Sequence, residues 1–141
     1  RARMEQPTPR VALGMALRGI ATAAADISDG LLGDLGHILK QSRVGAQLQA
    51  SACESLLACR TDTALPEHWR RTCVLSGGDD YELVFTAPPD QREAVQAAST
   101  QSLTPVTRIG NITAGHSALL LDATGQAIKT HFASFDHFAK D

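Results

Sequence analysis

The run IATAAADISDGLLGDLGHILKQS, residues 20–42, decides the fold. Residues 20–27 are small and apolar with β-branched ends, the composition of a buried strand. Leu31, Leu32, Leu35, Ile38 and Leu39 then recur at helical spacing, so a helix follows and is expected to end near Ser42. Ser28 or Asp29 is the expected N-cap, because a short side-chain oxygen can accept from the first free N–H groups of a helix. Gly33 and Gly36 weaken this helix in isolation and are expected to mark close packing. At the junction stand Asp26, Ser28 and Asp29, two carboxylates flanking a hydroxyl. Such a junction can hold a hard cation through one or two carboxylates, with waters and phosphate oxygens completing the shell. The helix dipole and the first N–H groups favour an anion at the same place. The competing reading is that Ser28 or Asp29 does no more than cap the helix.

A second run lies about fifty residues downstream: Leu75-Ser76-Gly77-Gly78-Asp79-Asp80-Tyr81-Glu82-Leu83. Gly77 and Gly78 permit positive φ and close approach of backbone to a ligand. Asp79 and Asp80 open a strand, whose side chains alternate between faces, so one acid can face a cleft. Taken alone, the run is equally a Gly-Gly-Asp turn with solvated acids. From Tyr81, Leu83 and Phe85 alternate with Glu82, Val84 and Thr86 until Pro88-Pro89 ends the strand.

The remaining chain fills in around these runs. Pro9 can open a helix that Gly19 closes. Val44, Ala46, Leu48 and Ala50 alternate with Gly45, Gln47 and Gln49, a half-buried strand. Residues 51–65 read as loop with one helical turn. Residues 66–73 read as a short helix with Trp69 packed on the core. Residues 90–102 look helical, residues 106–112 and 117–122 extended, with a turn at Thr124-Gly125. In the tail, Phe135 beside His137 and Phe138 offers a flat face for a heteroaromatic ring. The bland alternative is a tail docked on the core. Helices and strands mix without a strict βαβ rhythm, so the fold class is α+β, a mixed sheet packed with helices.

Composition bounds the function. The 141 residues suit one domain, and 43% apolar with 20% charged residues is a globular balance. A net charge of −2 and 4% aromatic residues give no support to nucleic-acid binding. No apolar run reaches the roughly 18 residues that a membrane span requires. Residues 1–9 are polar and proline-bearing, a linker rather than a signal peptide, and residues 10–141 form the single domain. Cys53, Cys59 and Cys73 contain no CxxC and are expected to be reduced thiols of a cytoplasmic protein. Neither they nor His37 and His116 carry functional weight.

Three motifs in order, ADISDGLLGDLGHILKQSRVGAQL, LSGGDDYELVFTAP and FDHF, resemble the C-terminal half of the thiamine-monophosphate kinase family. That family belongs to the superfamily of aminoimidazole ribonucleotide synthetase and selenophosphate synthetase. The resemblance spans residues 9–138. It implies the fold of the superfamily's C-terminal domain. It also implies transfer of the γ-phosphoryl group of ATP onto thiamine monophosphate, giving thiamine diphosphate, with Mg2+ required. On this reading Asp26 and Asp29 are metal ligands and Ser28 contacts the nucleotide. Asp79 touches the thiamine substrate and Phe135 packs on it. The attacking atom is an ionised phosphate oxygen, so no catalytic base is named. The family usually carries Glu where this chain has Asp79, and the shorter side chain suggests a water-mediated contact.

The resemblance further implies an N-terminal ATP-binding domain ahead of the linker and a homodimer for the full-length protein. The loop holding Asp26 should lie at an edge facing that domain, with an exposed apolar patch. The isolated chain is expected to be inactive. Two alternatives stand beside the kinase. One is another ATP-dependent enzyme of the superfamily, such as a ligase that activates an amide oxygen. The other is a non-catalytic binding or dimerisation domain.

Overall fold

The computed structural model describes residues 8–57, 66–77 and 81–128. Along the chain these form α1 (Val11–Ala16), β1 (Ala23–Asp26), α2 (Leu31–Ser42), β2 (Gly45–Gln49) and α3 (Ala50–Glu54). Then come α4 (Glu67–Ser76), β3 (Leu83–Thr86), a 3-10 turn at Pro89–Gln91, α5 (Arg92–Gln101), β4 (Gly110–Thr113) and β5 (Ala118–Leu121). The mixture is α+β, as the element pattern predicts.

Among the described residues the strands divide into two sheets. β1 and β3 pair antiparallel as a ribbon, from Ala23 opposite Thr86 to Asp26 opposite Leu83. In the other sheet β2 is central, antiparallel to β4 and parallel to β5. Ala46 and Leu48 of β2 are buried while Gln47 and Gln49 face water, which is the alternation read from the sequence.

A two-stranded ribbon is marginal on its own, so it must bury its faces against other elements. Ala23, Ala25 and Val84 join a core with Leu31, Leu35, Ile38 and Leu39 of α2, Leu48 of β2 and Leu120 of β5. Leu83 and Phe85, on the opposite face, join Leu13 and Leu17 of the α1 region and Ala98 of α5. Burying each leucine of the α2 stripe is worth about 1.5–3 kcal/mol. Asp26, paired with Leu83, therefore belongs to the face that looks toward α1.

Several local expectations change. The N-cap of α2 is Gly30, not Ser28 or Asp29, and no side chain caps the helix start. Gly30 has φ +102°, and a Cβ there would lie 2.8 Å from the Ser76 Cα, so α2 begins pressed against the end of α4. Gly77 is extended, with φ −71°, so it is not there to supply positive φ. A Cβ would instead overlap the carbonyl oxygen of Cys73, so close backbone approach selects glycine at this position. Gly36 has open space where a Cβ would be, so it marks no tight contact. Trp69 is 53% exposed rather than packed on the core, because its α4 position faces away from Val74 and Leu75. Among the described residues no helix is long and apolar enough to cross a membrane.

Candidate functional site

β1 delivers Asp26 to the end of the ribbon. The Ile27 N–H donates to the Glu82 carbonyl at 2.9 Å, which extends the pairing one residue beyond the strands. Ile27 is buried at 9% exposure, and Asp26 and Ser28 on either side of it are exposed. Alternation along an extended chain thus sends the carboxylate and the hydroxyl outward together. Both border an open groove of about 500 Å³ whose opposite wall is the start of α1, with Arg10, Val11 and Met15. Tyr81 and Leu83 also line it. Val11 (67% exposed), Met15 (60%) and Tyr81 (47%) form an exposed apolar rim.

The loop after Ile27 is shaped by Asp34, a residue that the sequence reading passed over. Its Oδ2 accepts the N–H groups of Ser28 at 2.8 Å and Asp29 at 3.1 Å. Asp34 is only 6% exposed and lies on the buried stripe of α2. A buried carboxylate needs such partners, and the helix N-terminus adds a favourable dipole. The signal was present: an acid in the first helical turn reaching back to the loop, the logic of a capping box. The Ser28 and Asp29 N–H groups are thus turned toward Asp34.

Asp29, Asp34 and His37 gather at one place, their ligand atoms all within 4.8 Å of one another. Asp29 is half-buried, Asp34 buried and His37 exposed. Oxygen donors of this kind suit a hard divalent cation, whereas an imidazole nitrogen suits Mg2+ poorly. Asp29 and Asp34 therefore suit magnesium better than His37 does, and Asp26, which borders the groove, is not a member of this cluster. Asp79 and Phe135 lie outside the described residues.

Comparison with known proteins adds the following. The family model for "AIR synthase related protein, C-terminal domain" matches residues 1–122. The chain is similar to the thiamine-monophosphate kinase of Salmonella typhimurium, 40% identical over 136 residues, covering 95% of this chain and 41% of that protein. It is similar in structure to the thiamine-monophosphate kinase of Stenotrophomonas maltophilia. That likeness has a TM-score of 0.77 and 44% identity over 90% of this chain and 39% of the other. A protein solved in complex with AMPPCP and TMP shares the fold at TM-score 0.64 and 24% identity, covering 92% of this chain and 38% of that one. The chain thus spans about two-fifths of the length of the curated relatives it matches.

Proposed function

Since the chain belongs to the family of AIR synthase related proteins, C-terminal domain, we propose that it is the C-terminal part of a thiamine-monophosphate kinase. The whole enzyme would transfer the γ-phosphoryl group of ATP to a phosphate oxygen of thiamine monophosphate, forming a new P–O bond and releasing ADP. The observation that carries this reading is the common exposure of Asp26 and Ser28 in one groove, in a chain 40% identical to a kinase of that name.

Asp26 and Asp29 would hold Mg2+, and Ser28 would donate its hydroxyl to a nucleotide phosphate. Magnesium, when bound, neutralises phosphate oxygens and so lowers the repulsion between donor and acceptor. Phosphoryl transfer asks mainly for positioning and charge compensation. Asp34 serves the first need, because it fixes the backbone between Asp26 and Gly30. Asp79 and Phe135 would contact the thiamine moiety. The rest of the nucleotide site would come from an N-terminal ATP-binding domain, and the full-length enzyme would be a homodimer. Free thiols at Cys53 and Cys73 agree with a cytoplasmic location.

The test uses the full-length parent with thiamine monophosphate, ATP and Mg2+, beside Asp26→Asn and Asp29→Asn. Thiamine diphosphate from the parent, lost in both variants, is expected. A folded parent that makes none would refute the kinase and favour a sister enzyme of the superfamily. Full activity in both variants would remove the metal role from these two acids.

A further inference from the structure

Arg10 and Glu82 are 72 positions apart in the chain, yet they form a two-pronged ion pair. Nε of Arg10 donates to Oε2 of Glu82 at 2.9 Å, and Nη2 donates to Oε1 at 2.8 Å. The side chains are 23% and 33% exposed, so water screens the pair only in part. Planar, paired bonds of this type fix direction as well as distance.

The position of the pair matters more than its strength. Arg10 is the N-cap residue of α1, and its carbonyl accepts the Gly14 N–H at 2.9 Å. α1 is only six residues long, has no side-chain cap and buries only Leu13, while Val11 and Met15 stand in water. Packing therefore holds the helix start weakly. Glu82 contributes at the other end. Its carbonyl accepts the Ile27 N–H, and the next residue, Leu83, pairs with Asp26. The preceding residue, Tyr81, has φ +55°, a left-handed conformation that a bulky side chain disfavours by about 1–2 kcal/mol. Such strain persists only where neighbouring contacts over-determine the backbone. Glu82 provides two of them, one through its carbonyl and one through its carboxylate.

We propose that Arg10 and Glu82 are positioning residues: their ion pair clasps the α1 wall of the groove to the segment carrying Asp26, Ile27 and Ser28, and so sets the geometry for a metal-bound phosphate. Neither residue touches the reacting atoms in this scheme. The inference rests on the kinase reading for its ligand, but the clasp itself is open to a separate test.

In the full-length parent, Arg10→Met and Glu82→Gln are compared with the exchanged pair, Arg10→Glu with Glu82→Arg. Two quantities are read: the Mg2+ concentration for half-maximal thiamine diphosphate formation, and hydrogen–deuterium exchange of the peptide containing Ile27. Each single variant is expected to raise the half-saturating Mg2+ concentration about tenfold while kcat stays within about twofold. Ile27 exchange should quicken, and the exchanged pair should recover part of both effects. An unchanged Mg2+ requirement in both single variants overturns the proposal even if thermal stability falls, since the pair would then only stabilise the fold. If the parent makes no thiamine diphosphate, the kinase reading fails separately. Mn2+ binding by electron paramagnetic resonance then replaces the rate measurement, and equal Mn2+ affinity in parent and single variants overturns the clasp.

Discussion

Replacing Asp34 by alanine probes the loop directly. The carboxylate accepts two backbone N–H groups and is itself buried. A hydrogen bond to a charged group is worth about 1.5–3 kcal/mol. Ser28 is exposed, so water can take over its N–H, whereas the half-buried Asp29 keeps more of the penalty. The net loss expected for Asp34→Ala is then about 2–3 kcal/mol rather than the full sum. With a urea slope of roughly 2 kcal/mol/M, the unfolding midpoint should fall by about 1 M. Asp34→Asn keeps one acceptor oxygen without the charge and should lose about half as much. The assay is urea unfolding of the 141-residue chain followed by circular dichroism, with exposed His116→Ala as a control. A midpoint for Asp34→Ala indistinguishable from the control would refute the reasoning. It would mean that desolvating the buried charge offsets what its two bonds contribute.

Gly30→Ala should destabilise the chain by about 2 kcal/mol or more, because a positive φ and a Cβ clash with the Ser76 backbone act together; a thermal midpoint equal to the parent's would contradict this. Leu48→Ala, in the central strand β2 at 3% exposure, should cost about 2–5 kcal/mol in urea unfolding, against less than 1 kcal/mol for exposed Gln47→Ala. Burial pushes the Cys53 thiol up to about 11 from 9.0. A raised folded value means that this group's stabilisation is fully present below about pH 9 and is lost as pH rises through 11. Unfolding midpoints should therefore fall over that window, and Cys53→Ala should flatten the fall. At pH 8 a thiol reagent should label exposed Cys73 while Cys53 stays unmodified until the chain unfolds.

What could be read in the sequence was whatever repeats over a few residues. The stripe of Leu31, Leu35, Ile38 and Leu39 became the buried face of α2, and the alternation of Ala46 and Leu48 with Gln47 and Gln49 became β2. Backbone geometry imposes these periods, so local composition reveals them. The strand-to-helix junction was legible for the same reason, but the composition of residues 20–27 suggested a buried strand, whereas β1 is short and leaves Asp26 exposed.

What the sequence left open depends on partners distant along the chain. Nothing local says that Gly30, rather than Ser28 or Asp29, begins α2, because that follows from Ser76 crowding its backbone. The ribbon of β1 and β3 is separate from the β2 sheet, yet one face of it shares the α2 core with β2 and β5 while Leu83 and Phe85 on its other face meet the α1 region and α5, a split that no local pattern announces. Trp69 looks like a core residue by type, but its place on α4 leaves it in water. Arg10 and Glu82 carry no mutual signal in the sequence, and only the ribbon register brings a charge at the helix start to one at the strand start. Local periodicity determined which faces are apolar; tertiary packing decided which of those faces meet and which polar groups are drawn together between them.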